Sequence, residues 1–310
     1  MKPAHAAASL IAALFSGFAI LFGAFDPAAA DPAAAVAPLA ETQIPAGPRP
    51  RVYLFRGFAG IVFSRGMDAL AERIEQAGFP ATVNEAVICP VIAKDAISDY
   101  RANPAPIVAV GHSVGAACAI AFAGMLGDEN IPVSLVVTTD PNRIAGDVPK
   151  NVERYINIFQ STSVLGGRDV KPGKGFAGHY ASYDLKEHQD ISHLNIEKMT
   201  TIHEQVLSKI QGLATTPAKG GSDPAPIRFV VPADADLELW DSGAAVKTRR
   251  GDTLETIAAQ YHVPPWSLIQ LNPGADKAPL AVGRRLIVPQ HLMPATAGDG
   301  TAVSQAPEKH

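Results

Sequence analysis

The feature that most constrains the fold of this chain is the run PIVAVGHSVGAACAIA at residues 106–121. A short apolar segment rich in β-branched residues passes through Gly-x-Ser-x-Gly, at residues 111–115, directly into an alanine-rich stretch. This order is typical of a buried strand, a very tight turn and a helix. The two glycines leave room for a turn that is too sharp for larger side chains. Ser113 would lie at its tip.

A strand, Gly-x-Ser-x-Gly and a helix in this order are typical of a nucleophile elbow. In such an elbow the serine hydroxyl lies above the carboxyl edge of a sheet, and the N–H groups of the following helix face the reacting carbonyl. The pattern therefore predicts acyl transfer on Ser113. The structural alternative is a glycine-rich turn in an unrelated α/β sheet.

Alternating strand and helix patterns extend from Arg51 to about Leu213. We predict strands at residues 52–55, 81–88, 107–110, 133–139 and 155–159, and helices at residues 67–77, 91–101, 116–126 and 196–210. Such alternation favours an α/β fold with a parallel sheet covered by helices. Over residues 51–213 the chain resembles the α/β-hydrolase superfamily, as a compact lipase or thioesterase without a large lid domain. The resemblance implies a serine hydrolase with an acid and a histidine after the serine.

Two positions compete for the acid of this catalytic set. Asp140 follows the strand directly after the elbow helix, which is the thioesterase position, and Asp169 follows the next strand, which is the position in most lipases. Asp184 and Asp190 are further alternatives. Alternatively, Asp140 has no catalytic role and is only the first residue of an Asp-Pro-Asn turn.

His193 is the favoured base because it lies in a loop before the last predicted helix, with His188 and His179 as alternatives. The spacing of these histidines and the nearby aspartates matches no standard metal site, so we expect neither a metal nor a cofactor. We expect His112, inside the elbow, to pack.

The oxyanion hole requires two backbone donors. The resemblance assigns the first to Val114 and the second to Phe58 or Ala59 in the loop after the first strand. Many relatives carry histidine at the position of Arg56. This arginine is expected either to contact an anionic group of the substrate or to be a solvated loop residue.

A second unit covers residues 245–289, with Gly-Asp-Thr-Leu at 251–254, Leu-Asn-Pro at 271–273 and Leu-Ile-Val-Pro at 286–289. It resembles the LysM module, which implies a small βααβ domain that binds N-acetylglucosamine-containing glycan such as peptidoglycan or chitin. The positions that match the glycan groove are Gly251, Asp252, Thr253, Leu254, Leu271, Asn272 and Pro273. Core packing is the expected role of the two leucines, and Thr253 is expected to cap the first helix.

The amino-terminal residues indicate export. Residues 1–30 read as a signal peptide with cleavage near Ala30, or as an uncleaved anchor, and residues 31–50 as a disordered spacer. We predict the hydrolase-like domain at 51–213, a linker at 214–244, the LysM domain at 245–289 and a disordered tail at 290–310. Cys89 and Cys118 either pair or remain buried thiols.

The formal charge of −4 over 310 residues does not favour nucleic acid as a partner. Taken together, the elbow, the signal-peptide pattern and the LysM resemblance predict an exported serine hydrolase. Its substrate is expected to be an ester or thioester of a small molecule or a lipid. We expect the LysM module to hold it at cell-wall glycan, in the periplasm, at the wall or outside the cell. The alternatives are an inactive hydrolase fold that only binds glycan, and an enzyme that removes acyl groups from the wall glycan itself.

Overall fold

The computed structural model describes residues 48–58, 65–213, 224–277 and 279–292. The predicted signal peptide at 1–30 lies outside the described residues, as do residues 31–47 of the spacer and residues 293–310 of the tail. No helix in the described ranges is long and apolar enough to cross a membrane.

The main domain is built on a sheet of seven parallel strands. The strands are Arg51–Arg56 (β1), Ala81–Glu85 (β2), Ile107–His112 (β3), Leu135–Thr139 (β4), Arg154–Phe159 (β5), His179–Asp184 (β6) and Ile227–Val230 (β7). Their order across the sheet is β2-β1-β3-β4-β5-β6-β7. Every residue of β3, β4, β5 and β6 is buried, as expected for strands covered on both faces.

Helices cover both faces of this sheet. They are Gly66–Gln76 (α1), Cys89–Ala102 (α2), Val114–Asp128 (α3) and Thr200–Leu213 (α4), with 3₁₀ turns at Ala86–Ile88 and Ile196–Lys198. Along β1, Val52 and Leu54 join the core under α1 and α4, whereas Tyr53 and Phe55 join the core under α2 and α3. This alternation places one apolar core on each face of the sheet. The predicted α/β fold class is confirmed.

The structure corrects the predicted linker at 214–244 over its described part, 224–244, while residues 214–223 lie outside the described residues. This segment contains β7, which pairs with β6 in parallel, with Ala181 opposite Ile227. β6 does not stand out in the sequence, because it carries His179, Ser182 and Asp184. One strand-like piece lies between Ile227 and Trp240, but the sequence alone does not assign its role, and the structure shows it as β7. These two segments form strands because their main chains pair with neighbouring strands and become buried, and not because their residues favour strand formation.

The two cysteines form a disulfide between Cys89 and Cys118. Cys89 is the first residue of α2, and Cys118 lies in the second turn of α3. The bond therefore joins the helix that follows Ser113 to its neighbour on the same face of the sheet.

The C-terminal module has the predicted βααβ order. Its elements are Ser242–Lys247 (β8), Leu254–Tyr261 (α5), Pro265–Leu271 (α6) and Arg285–Gln290 (β9), with β8 and β9 antiparallel. Thr253 caps α5, as predicted, because its hydroxyl accepts a hydrogen bond from the Thr256 N–H, and the Thr256 hydroxyl accepts one from the Thr253 N–H.

This module is packed on the edge of the main sheet. The side chain of Gln270 in α6 caps β7, because its oxygen accepts from Val230 N at 2.9 Å and its Nε2 donates to Val230 O at 2.7 Å. The Trp266 ring lies 5.3 Å from the Phe229 ring and 6.1 Å from the Trp240 ring. An open strand edge at β7 is thus covered by the module.

A second set of contacts fixes the chain where it enters the module. The Tyr183 hydroxyl donates to Trp240 O at 2.8 Å, and Lys209 Nζ, on a largely buried side chain, donates to the buried Asp241 Oδ2 at 2.9 Å. His179 Nδ1 lies 2.8 Å from Ser242 Oγ. The module is therefore held to the main domain on two sides.

The shared aromatic core predicts that the main domain and the module unfold together. Trp266→Ala should lower the free energy of unfolding by about 3 kcal/mol, because it leaves a cavity beside Phe229 and Trp240. Calorimetry should give one transition for the unaltered protein. Tyr261→Ala, in the same module but more than a third exposed, is the matched control and should change stability much less. Two separate transitions in the unaltered protein would contradict a shared core.

Candidate active site

Ser113 adopts a backbone conformation that is rare for a residue with a side chain, with φ at 58° and ψ at −119°. Gly111 and Gly115, two residues before and after Ser113, leave no space for a side chain. A Cβ on Gly115 would lie 2.1 Å from Phe55 O, and a Cβ on Gly111 would lie 2.3 Å from Gly115 O. The start of α3 can therefore lie directly against β1 and β3 only with glycine at both positions.

Three side chains form a continuous hydrogen-bonded chain at the carboxyl edge of the sheet. Ser113 Oγ lies 3.0 Å from His193 Nε2, and His193 Nδ1 lies 2.6 Å from Asp140 Oδ2. Ser113 follows β3, Asp140 follows β4, and His193 belongs to the loop before the 3₁₀ turn. In neutral His193, Nδ1–H donates to the carboxylate and Nε2 accepts from the serine hydroxyl. This arrangement can remove the serine proton.

Asp140 is fully buried, and its second carboxylate oxygen is held by the main chain. Oδ1 accepts from Gln160 N at 3.0 Å and from Gly167 N at 2.9 Å. Burial raises the pKa of Asp140, but the hydrogen bonds from His193 and Gln160 outweigh it, and the net pKa lies below the usual value. The carboxylate therefore stays ionised at neutral pH.

His112 has a larger part in the site than the expected packing. Its Nε2 donates to His193 O at 2.9 Å, and the two rings lie 4.7 Å apart. Burial, followed by the repulsion from His193, lowers the pKa of His112 to about 4, so the ring is neutral at pH 7. It holds the main chain of His193, a role that the sequence gives no means to identify.

The other candidate acids lie apart from His193. Asp169 Oδ1 accepts from Ser182 Oγ at 3.0 Å, and its carboxylate forms ion pairs with Lys171 and Arg228. Asp184 Oδ1 accepts from Ser161 N and Lys186 N. Asp190 is an exposed loop residue whose carbonyl accepts from Asn195 Nδ2 at 2.8 Å.

The other candidate bases do not reach the serine either. His179 begins β6, at the opposite edge of the sheet, and bonds to Ser242. His188 lines a separate cavity with Glu204 and Asp236.

An open cavity of about 530 Å³ lies beside Ser113. It is lined by Gly57, Phe58, His112, Ser113, Val114, Asn142, Leu165, His193 and Leu194. Both predicted oxyanion donors, Val114 and Phe58, belong to this lining, and Ala59 lies outside the described residues. Val114 is the first residue of α3, where backbone N–H groups have no acceptor within the helix.

Arg56 is engaged with two carboxylates. Its Nε donates to Asp68 Oδ2 at 3.1 Å, and its Nη1 donates to Glu85 Oε1 at 2.9 Å. These partners lie on α1 and β2. The paired guanidinium therefore joins β1, α1 and β2 at the start of the loop that carries Phe58. It neither extends into solvent nor is free to contact a substrate anion, which are the two roles expected from the sequence.

Glu197 is a buried carboxylate close to the site that the sequence analysis did not single out. It lies four residues after His193, and its carboxylate faces the backbone N–H groups of Gly66 and Met67 at the start of α1. A Cβ on Gly66 would lie 2.1 Å from Glu197 O and Oε2, so only glycine fits there. Burial raises the pKa of Glu197 to about 7, against the opposing effect of Lys198.

In the LysM module, the predicted glycan-binding side chains differ in availability. Asn272 is buried, and its amide donates to Leu268 O and Ile287 O and accepts from Ile287 N at 2.7 Å. Asp252 Oδ2 accepts from Arg249 N at 2.6 Å. The other positions divide by exposure: Gly251, Thr253 and Pro273 are exposed, Leu271 is partly buried and Leu254 is buried.

Residues 246–289 match the family model of the LysM domain. The chain therefore contains a LysM domain, a type of module found in cell-wall and extracellular proteins, and this part of the predicted organisation is confirmed. No curated protein matches the chain.

Two solved structures are similar in part. One is a candidate hydrolase of the alpha/beta superfamily from Xanthomonas campestris, with 15% identity, a TM-score of 0.32, and coverage of 53% of this chain and 96% of that chain. The other is RedJ, a thioesterase from the prodiginine biosynthetic pathway in Streptomyces coelicolor, with 19% identity, a TM-score of 0.23, and coverage of 34% and 50%. Similarity at this level bears on neither activity nor substrate.

Two glycines of α3 test the elbow geometry. Gly115→Ala places a Cβ against Phe55 O, so we expect a loss of about 3 kcal/mol in the free energy of unfolding. Gly124→Ala in the same helix meets only Pro149 Cγ at 3.7 Å and should be stabilising by up to about 1 kcal/mol. Urea unfolding of the two variants measures both effects. Equal stabilities would contradict the close contact between α3 and β1.

Glu197 predicts a specific pH dependence of stability. The unfolded chain ionises this group near its ordinary pKa of 4.5, and the folded protein near 7. Stability from this group is therefore full below about pH 4.5 and is lost as the pH rises through 7, by about 3 kcal/mol. Glu197→Gln should lack this loss. Urea unfolding between pH 4 and 8 tests it, and parallel curves for the variant and the unaltered protein would show the assignment to be wrong.

Proposed function

We propose that this protein is an exported hydrolase of carboxylic esters or thioesters that acts through an acyl-enzyme on Ser113. One observation carries the proposal. Ser113 Oγ, the His193 ring and the buried Asp140 carboxylate lie in line at 3.0 and 2.6 Å, beside an open cavity. A serine with a base in reach, and a base oriented by an ionised acid, is the arrangement that nucleophilic acyl transfer requires.

In the first half-reaction, Ser113 Oγ attacks the carbonyl carbon, and its proton passes to His193 Nε2. The negative charge on the carbonyl oxygen is stabilised by the N–H groups of Val114 and Phe58. The bond between the carbonyl carbon and the leaving group then breaks, and the leaving group takes the proton from His193. The product is an ester between Ser113 and the acyl group.

In the second half-reaction, water attacks this ester while His193 accepts one of its protons. The bond to Ser113 Oγ breaks, the serine recovers a proton from His193, and the carboxylic acid leaves. Asp140 stabilises the imidazolium at both stages. Its low pKa, caused by the hydrogen bonds at both carboxylate oxygens, keeps it charged throughout.

We further propose that the LysM domain holds the enzyme at a glycan that contains N-acetylglucosamine, such as peptidoglycan or chitin. The side chain of Asn272 is engaged within the module. The glycan is therefore expected to contact the main chain there, together with Pro273 and the segment Gly251, Asp252 and Thr253, in which Gly251 and Thr253 are exposed and Asp252 is partly buried.

Two features support a location outside the cytoplasm. Residues 1–30 carry the pattern of a signal peptide. The Cys89–Cys118 disulfide suits an oxidising compartment.

A fluorophosphonate probe tests the catalytic proposal, because it forms a covalent bond only with an activated serine. The unaltered protein should be labelled in proportion to time. Ser113→Ala should abolish labelling, and His193→Ala should slow it by at least about 1,000-fold. Ser134→Ala, at the amino end of β4, is the matched control and should label normally.

Absence of labelling in a folded protein that still binds insoluble peptidoglycan would overturn the hydrolase proposal. It would favour the alternative of a glycan-binding protein with an inactive hydrolase fold. Labelling that persists in Ser113→Ala would instead place the nucleophile elsewhere.

A further inference from the structure

The described lining of the cavity beside Ser113 is largely apolar. Four of its nine described lining residues are large and apolar, namely Phe58, Val114, Leu165 and Leu194. None of the nine is a lysine, an arginine, an aspartate or a glutamate. The nearby Arg56 is paired with Asp68 and Glu85. A group bound in this cavity is therefore met by apolar surface.

Three of these apolar side chains are left in water by the fold. Phe58 is 82% exposed, Leu165 is 59% exposed and Leu194 is 51% exposed. They come from three separate loops, after β1, after β5 and after β6, and still converge on one cavity. Apolar surface that a fold gathers at one concave place, and does not bury, is typical of a ligand-binding site.

The exposure of apolar side chains is confined to this end of the domain. Among the described residues of 48–213, every strongly exposed large apolar side chain follows the carboxyl end of a strand. These residues are Phe58, Val87, Ile88, Val91, Ile144, Val164, Leu165 and Leu194. The carboxyl edge of the sheet therefore favours apolar contact, and within the described part of 48–213 no strongly exposed large apolar side chain lies at the opposite edge.

We propose that the substrate of this site carries a long apolar acyl chain on its reacting carbonyl, and that Leu165 and Leu194 determine this specificity. The inference rests on the proposed function. The apolar wall begins at Val114, directly beside the nucleophile, so the first carbons of the chain already leave water. Each methylene buried in the transition state raises kcat/KM by about four-fold, until the chain outgrows the cavity.

A series of p-nitrophenyl esters with acyl chains of different length tests the proposal. We expect kcat/KM for the octanoate to exceed that for the butanoate by at least about 10-fold. Leu165→Ser and Leu194→Ser should each lower this ratio by at least about five-fold, chiefly through KM. Val164→Ser is the matched control, because Val164 is exposed next to Leu165 and does not line the cavity. It should leave the ratio unchanged.

A second experiment shows whether the acyl chain belongs to a lipid or to a soluble ester. In it, the octanoate ester is offered either as a monomer in water or within phosphatidylcholine vesicles. Faster turnover in vesicles assigns the acyl chain to a lipid, and faster turnover of the monomer assigns it to a soluble ester. Either result supports the apolar acyl chain when the length ratio holds.

The inference and the proposed function fail in different ways. A protein that reacts with fluorophosphonate at Ser113 but shows no preference for the octanoate overturns the inference and leaves the hydrolase intact. An unchanged ratio in both leucine variants removes Leu165 and Leu194 as determinants and also overturns it. A folded protein without labelling or turnover overturns both.

Discussion

The contact between the start of α3 and the carboxyl end of β1 is the constraint on which the rest of this site depends. It brings Gly115 so close to Phe55 O that no side chain fits between them. As a result, Ser113 must turn with a positive φ, and its hydroxyl projects from the sheet edge. Strain of this kind costs on the order of 1–3 kcal/mol and persists only where the surrounding structure enforces it. Here the buried strand β3 and the helix α3 enforce it from both sides.

The side chains of Ser113, His193 and Asp140 are held by contacts that also fix the loops around them. Asp140 is bound through Gln160 N and Gly167 N to the loop after β5, whereas His193 is bound through its carbonyl to His112. Because His112 directly precedes Ser113 in the chain, the loop that supplies the base is tied to the turn that supplies the nucleophile. The hydrogen-bonding geometry therefore depends on four loops whose positions are mutually determined, which favours a site formed before substrate arrives.

The sequence predicts those parts of the structure that have a local cause. The elbow follows from a contiguous motif, and the cap at Thr253 from a side chain next to a helix. The rule that ligands collect at the carboxyl ends of strands fits both Asp140 and Asp169. The structure places Asp140 beside His193. By contrast, β7 is fixed by its partner strand and by Gln270, which is 40 residues away from Val230. The burial of Glu197 is likewise decided by its contact with the start of α1. A short window of sequence shows neither that contact nor the contact between Gln270 and Val230.

The placement of the LysM domain changes what it can do for the proposed hydrolase domain. A module on a flexible linker raises the local concentration of substrate without fixing its direction. Here Gln270 and Trp266 close the edge of the sheet, and Trp240 and Asp241 anchor the entry into the module. Ser113 and the loops proposed to bind glycan are then parts of one packed body. A wall glycan bound by the module would hold the apolar mouth of the cavity at a fixed orientation to the wall surface, so binding would select the direction from which an acyl chain can enter.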